Sequence, residues 1–279
     1  MELPDDALAL DRLQRDLPTH ILGRTILHYE RVGSTNDLAR ERARAGYPEG
    51  LVVLADEQTS GRGRQGRGWA APPRSSLLMS VLLRPSWMAP ADAFALTMLA
   101  SVALCEATEE VAPVRAGIKW PNDVMLPSAA PDAATPAPLR KAAGILSELE
   151  LEHNRIAWAV IGIGVNVNWT PTGIVDGRDL AQAATSLSAA AGQPIDRWAL
   201  LRALLVRLDA RYLALRRGQR EELFTAWRAR LTMLGRPIHV HLLHGELRGI
   251  AEGVEPSGAL RVRDEQGTLH VILAGDVGG

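Results

Sequence analysis

The stretch EQTSGRGRQGRGW, Glu57 to Trp69, sets three arginines and four glycines between two apolar runs, GLVVLADEQ and SSLLMSVLLRP. Runs of that composition and length read as strands, whereas glycine and arginine cannot build a core. The chain must therefore form a sheet that carries, at one end, a cationic loop almost without side-chain bulk. Each missing Cβ lets backbone amides approach a ligand and permits positive φ. Each guanidinium offers a fork of donors that matches phosphate or carboxylate oxygens. Three uses fit: a solvated hairpin tip, an arginine–glycine segment for single-stranded nucleic acid, or a clamp for a nucleotide or acyl phosphate. The Walker pattern is not met, because Arg67-Gly68 stand where Lys-Ser/Thr is required.

The rest of the chain narrows these options. Its 279 residues predict one large domain with a small one. A net charge of −1 leaves no bias of the whole chain toward nucleic acid or membrane, so any positive field is local. The single cysteine, Cys105, excludes an intrachain disulfide and fits a reducing compartment. It lies in FALTMLASVALCEA and reads as a small buried hydrophobe rather than a nucleophile. The N-terminus, MELPDDALALD, is acidic where a signal peptide is basic. The longest apolar run, near 94 to 105, looks too short and interrupted to span a bilayer. A cytoplasmic protein is expected.

Residues 6–16, DALALDRLQRD, have helical apolar spacing and predict a short helix in an N-terminal extension over 1–24. TILHYERV predicts the first strand. In GSTNDLARERARAG, Ser34 and Asp37 make a capping-box pattern, and Gly46 can end the helix. Residues 91–111 predict a helix apolar all round and hence buried. GIKWPNDVML predicts one strand interrupted by a Pro-Asn-Asp turn. The segment 127–140, PSAAPDAATPAPLR, has four prolines and predicts a surface excursion between two strands of a hairpin. KAAGILSELELE and RIAWAVIGIGVNVNW flank His153-Asn154 as a β-hairpin. Helices are predicted near 196–217 and 219–231. After Gly235, short strands separated by HGE, EPSG and EQG predict a small β-barrel. The fold class is α+β: a mixed, largely antiparallel sheet flanked by helices over 25–232, then an all-β domain over 233–279.

Other polar groups accompany the loop. IKWPND concentrates Lys119, Trp120, Asn122 and Asp123 in a turn, a costly set to bury unless used. Lys141 stands where the proline-rich segment meets an apolar strand, and taken alone reads as a solvated strand end. Asn166 and Asn168 interrupt a strand of Val, Ile and Gly, which asparagine disfavours, and imply bonds to a ligand or a turn. GIGVN, residues 162–166, lacks the third glycine of a dinucleotide fingerprint and lies within a strand, so it does not indicate a Rossmann site.

Taken in order, GSTND, ADEQTSGRGRQGRGW, SLLMSVLLRP, IKWPNDVML, KAAGILSELE, VIGIGVNVNW and ATSL closely resemble the biotin–protein ligases (biotin–[acetyl-CoA-carboxylase] ligases). The tail GELRGIAEGVEPSGALRVRDEQGTLHVILAGDV is similar to that family's C-terminal domain. The likeness runs from about residue 25 to 277 and implies a class II aminoacyl-tRNA-synthetase-like catalytic fold with an SH3-like β-barrel. It implies two steps: the biotin carboxylate attacks the α-phosphate of ATP to give biotinoyl-5′-AMP and pyrophosphate. A lysine of a biotin carboxyl carrier protein or domain then takes the biotinoyl group and releases AMP. Mg²⁺ is expected with ATP, held mainly by the phosphates.

By the same resemblance, Ser34, Thr35, Asn36 and Gln58 match positions that line the biotin pocket. Arg62, Gly63 and Arg64 match the loop that orders over the ligand, with Arg64 on carboxylate and phosphate together. Lys141 matches the catalytic lysine, overturning its reading as a solvated strand end. Gly144 and Ile145 match strand backbone against the ligand. Arg67, Trp69, Lys119, Asn122, Asp123 and Asn166 match the nucleotide side, with Trp69 against adenine. Gln65 departs from relatives that carry arginine or histidine there and is expected to be dispensable. The chain begins too late for the N-terminal DNA-binding domain of some relatives, so a monofunctional ligase without nucleic-acid partners is expected, as monomer or homodimer. A lipoate or octanoate ligase is the nearest rival, disfavoured by the polar Ser-Thr-Asn segment. A DNA-binding repressor or inactive biotin sensor is the rival from another class.

Overall fold

The computed structural model describes residue 10 and residues 13–129, 137–175 and 177–278. The predicted helix over 6–16 and the proline-rich segment therefore lie partly outside the described residues; of the former, residues 13–16 are helical.

Seven strands form the main sheet. They are β1 (Thr25–Val32), β2 (Leu51–Gln58), β3 (Ser76–Leu83), β4 (Gly117–Lys119), β5 (Asp123–Pro127), β6 (Leu139–Glu152) and β7 (Arg155–Asn166). Their order is β1-β2-β3-β7-β6-β5-β4. Only β1 and β2 run parallel; the other neighbours are antiparallel, as the sequence predicts. His153 and Asn154 take φ of 48° and 58° and close the β6–β7 hairpin, the handedness that suits strand twist. GIKWPNDVML differs from expectation. It is two antiparallel strands, β4 and β5, because Pro121 has no N–H for a ladder and the chain reverses there.

Period-two alternation divides the sheet's faces. β2 sends Val52 and Leu54 to the larger core and Leu51 and Val53 to the opposite face. β7 does the same with Ile161, Ile163 and Val165 against Trp158 and Val160. The larger core is covered by α2 (Phe94–Val111) packed on α5 (Arg197–Arg216). Each of Leu96, Leu99 and Leu104, withdrawn from water here, contributes roughly 1.5–3 kcal/mol. Contrary to the expectation from the shorter run, Pro90–Val111 is long and apolar enough to cross a bilayer. It is mostly buried within the core, which accounts for its all-round apolarity.

The opposite face is covered only in part, by α1 (Thr35–Arg44), whose Ala39 and Ala43 pack on Leu51, Val53, Leu82 and Trp158. Ser34 is its N-cap, accepting from Asp37 N at 3.4 Å. A hairpin of β8 (Ile174–Val175) and β9 (Arg178–Asp179) and two short helices, α3 (Leu180–Ala183) and α4 (Leu187–Ala191), were not expected. Helix α6 (Arg220–Arg228) follows α5 and precedes the terminal sheet.

The terminal sheet has five antiparallel strands: β10 (Pro237–His241), β11 (Glu246–Val254), β12 (Leu260–Arg263), β13 (Leu269–Ile272) and β14 (Asp276–Gly278). Their order is β13-β12-β11-β10-β14. Ile238 and Val240 join the same core as Trp227 and Met233. The Trp120 indole donates to the Gly258 carbonyl at 2.9 Å. At the other end, the buried Asp209 of α5 accepts the amides of His20, Ile21 and Leu22 at 2.8, 2.8 and 2.9 Å.

Candidate active site

The uncovered part of the sheet's second face is the floor of a cleft of about 630 Å³, a size suited to small molecules. The alternation that sends Ile161, Ile163 and Val165 into the core turns Gly162, Gly164 and Asn166 toward this cleft. A Cβ on Gly162 would stand 2.2 Å from Asn36 Oδ1, and one on Gly164 2.6 Å from Trp69 Cε2. The glycines of GIGVN are thus required by side chains lying directly on the strand.

Lys141 enters the cleft through an irregularity in β6. Opposite β5, the pairing runs Val124 with Ala143 and then Met125 with Lys141, leaving Ala142 as the extra residue of a β-bulge. Lys141 Nζ stands 2.7 Å from Asp123 Oδ1 and 5.6 Å from the centre of the Trp69 ring. The Trp69 Nε1–H is buried without a partner, a costly arrangement that a ligand acceptor would relieve.

One end of the cleft is neutral and polar. Gln58 Oε1 accepts from Thr35 N at 2.7 Å and Thr35 Oγ1 at 3.0 Å. Ser80 Oγ lies 2.8 Å from Thr35 Oγ1 and 2.6 Å from Asn36 Oδ1. Asn36 Nδ2 donates to Glu148 Oε2 at 2.7 Å. These bonds fix Thr35 and Asn36, at the start of α1 beside the Ser34 cap, against Gln58 at the end of β2.

The Gly-Arg loop is folded on itself as a short hairpin. Gly63 N donates to Arg67 O at 2.6 Å and Trp69 N to Gly61 O at 2.9 Å. Gln65 and Gly66, with φ of 56° and 74°, make its tip. Each arginine has a partner. Arg62 Nη2 donates to Asp37 Oδ1 at 2.6 Å. Arg64 Nη1 donates to Asn122 Oδ1 at 3.1 Å and stands 3.9 Å from Asp276 Oδ1. Arg67 Nη2 pairs with Asp276 Oδ2 at 2.5 Å. Asn122 is held to Ile145, donating to its carbonyl at 2.7 Å and accepting its amide at 3.1 Å.

Every site residue expected from the sequence lines this one cleft, including Ser34, Gly63, Lys119, Asp123, Gly144 and Asn166. The neighbours of that set fare differently. Asn168 exchanges two hydrogen bonds of 2.9 Å with the Ile195 backbone and is structural. Trp120 is buried toward Gly258. Sequence reading missed Gly162 and Gly164, whose signal was the glycine pair at period two, and Met79 and Trp169, which also line the cleft. It missed Asp276 as well, which comes from β14 and had no local signature. Cys105 lies in α2, where burial pushes its thiol up to about 12, so it is no nucleophile.

The cleft's carboxylates, Asp123 and Asp276, each face a cation already. Among the described residues, the one group of three metal-ligand side chains lies elsewhere, in the terminal sheet. Of the two cleft carboxylates, Asp123 lies beside Lys141 and is a carboxylate that could share in holding a cation.

Residues 29–166 match the biotin/lipoate A/B protein ligase family, and residues 233–277 match the biotin protein ligase C-terminal domain. The chain belongs to that family, in the branch of the biotin protein ligases. It is 32% identical to the bifunctional ligase/repressor BirA of Bacillus subtilis, over 96% of this chain and 78% of that protein. It is 34% identical to the biotin–[acetyl-CoA-carboxylase] ligase of Mycobacterium tuberculosis, over 88% of this chain and 85% of that protein. Among solved structures, it is similar to a biotin protein ligase from Aquifex aeolicus in complex with biotin and ATP. The TM-score is 0.73 at 25% identity, covering 91% of this chain and 98% of that one.

Proposed function

We propose that this cleft joins biotin to ATP as biotinoyl-5′-AMP and then passes the biotinoyl group to a lysine of a biotin carboxyl carrier protein or domain. The observation that carries the reading is Lys141, set by the bulge between the neutral polar end and the loop arginines. The relatives' names and the biotin and ATP complex support the same chemistry.

Two anions must meet in the first step, the biotin carboxylate and the triphosphate. Lys141 leaves Asp123 to bridge the carboxylate and the α-phosphate, and Arg64 adds a bidentate contact to both. A cation about 4 Å from a developing charge is worth about 4 kcal/mol at an effective dielectric near 20. Mg²⁺, when bound with ATP, would neutralise phosphate charge and help pyrophosphate leave. Ser34, Thr35, Asn36 and Gln58 meet the uncharged ureido ring with neutral donors and acceptors. Arg62 and Gly63 belong to the covering loop, while Gly144 and Ile145 lie along the ligand. Trp69 offers its ring and free indole N–H to adenine, with Arg67, Lys119, Asn122, Asp123 and Asn166 around the nucleotide. In the second step the incoming amine forms the amide bond, the acyl–phosphate bond breaks, and AMP leaves with Lys141 opposing its charge. Closure of the loop keeps water from the mixed anhydride.

The same reading takes the chain as an N-terminal extension (1–24), a catalytic domain (25–232) and an SH3-like terminal barrel (233–279). It places the enzyme in the cytoplasm, as a monomer or homodimer. ATP–pyrophosphate exchange with Mg²⁺, run separately with biotin, lipoate and octanoate, tests it. Exchange with biotin alone is expected; exchange with lipoate or octanoate would move the chain to the sister activity.

A further inference from the structure

His239 and His241 stand two apart on β10, so both imidazoles leave the same face of the terminal sheet. Their ring centroids are 4.5 Å apart. Glu246 faces His241 in the β10–β11 register. Its carboxylate engages both rings, Oε2 at 2.8 Å from His239 Nε2 and Oε1 at 3.1 Å from His241 Nδ1. Neither step of the ligase reaction uses these groups.

A surface His–Glu ion pair is worth little and needs one imidazole. Here two converge on one carboxylate, and one donor atom from each residue lies within 4.8 Å of the others. Zinc–nitrogen and zinc–oxygen bonds of roughly 2.0–2.2 Å in tetrahedral geometry set donors further apart than the 2.8 Å between Glu246 and His239 and closer than 4.8 Å, so side-chain adjustment alone can admit an ion. Room is provided on the neighbouring strand, where His239 faces Gly278; a Cβ there would stand 3.2 Å from His241 Nε2. All three side chains reach solvent, at 26%, 41% and 55% exposure, so an ion can enter.

We propose that His239, His241 and Glu246 form a three-ligand site for a divalent late-transition ion, Zn²⁺ in the first instance, with a further position left to solvent. Two imidazoles and a carboxylate suit Zn²⁺, Ni²⁺ or Cu²⁺, whereas Mg²⁺ and Ca²⁺ demand oxygen ligands. The ion would tie β10 to β11. It would lie on the face that also carries Asp276, since His241 faces Asp276 in the β10–β14 register.

The test is a Zn²⁺ titration of the tag-free, metal-stripped full chain, in competition with a chromophoric zinc indicator and without biotin or ATP. One equivalent should bind. His239→Ala and His241→Ala should each weaken binding by more than about a hundredfold, beyond the roughly 10–100-fold cost of losing an outer-shell partner. His153→Ala, on the distant β6–β7 turn, should leave it unchanged. Zn²⁺ should raise the melting temperature of the wild type and of His153→Ala but not of the His239→Ala/His241→Ala double variant. Absence of stoichiometric binding, or equal binding by the double variant, would overturn the site. Pyrophosphate exchange by the same variants should stay at the wild-type level, which separates this proposal from the ligase reading.

Discussion

Lys141 and Gly144 are three residues apart on one strand, yet a Cβ on Gly144 would stand 3.3 Å from Lys141 Nζ. A regular strand would put them on opposite faces; the bulge at Ala142 brings them to the same one. Lys141→Ala should therefore lower biotin-dependent pyrophosphate exchange by about a thousandfold or more, the rate equivalent of about 4 kcal/mol. Calorimetry should still detect biotin binding. Retention of substantial exchange would remove Lys141 from the chemistry.

Arg64 bridges toward Asn122 and Asp276 across the mouth of the cleft. Arg64→Gly should form the adenylate but release it, so that bystander lysines on an unrelated protein become biotinylated. Streptavidin blotting of such a mixture reads this directly. Tight retention of the adenylate by the variant would refute the covering role of the loop.

Gly162→Ala would place its methyl 2.2 Å from Asn36 Oδ1. Asn36 must then leave Ser80 and Glu148, a loss of about 1–3 kcal/mol in a buried polar network. The expected result is biotin affinity lowered by roughly tenfold or more, at nearly unchanged affinity for ATP. Equilibrium dialysis with each ligand separates the two.

Asp209→Ala should act on stability alone. It orphans the three amides of His20, Ile21 and Leu22 far from the cleft, at a cost on the order of 3 kcal/mol. Denaturant unfolding should show the loss, while exchange activity at low temperature persists. Wild-type stability in Asp209→Ala would show that those amides find other partners.

Burial pushes the Asp56 carboxyl up, but hydrogen bonding from His28 and the charges of His28 and Arg197 outweigh it and hold the group below the usual carboxylate range. A carboxyl lowered on folding contributes stability above its unfolded pKa, and that contribution disappears as pH falls through the folded value. Unfolding midpoints measured from pH 7 down to pH 3 should fall less steeply for Asp56→Asn than for wild type. Parallel curves would count against the assignment.

Much of this was legible in the sequence because local signals agreed with the fold. The turn at His153-Asn154, the cap at Ser34 and the strands around the Gly-Arg loop each follow from residue types within a few positions. The bulge was not legible, since Lys-Ala-Ala-Gly has no mark that says which alanine is extra. The turn within GIKWPNDVML was legible in Pro-Asn-Asp, but its full reversal into two paired strands, β4 and β5, was not, because the flank before it supplies only the three residues of β4. Gly162 and Gly164 were visible as glycines, but their purpose depends on Asn36 and Trp69 arriving from distant segments. Asp276 was beyond reach for the same reason: a carboxylate in a short terminal strand gains meaning only when Arg67 is found opposite it.

That last pairing bears on how such chains can be recombined. Because Arg67 meets Asp276, and Trp120 meets Gly258, a crossover near residue 232 would separate both members of two matched pairs at once. A hybrid with a foreign tail inherits half of each pairing, whatever the quality of either half alone. Viable exchanges should be those that carry the loop, the Trp120 turn and the tail together, so that these three separated segments travel as one unit of selection.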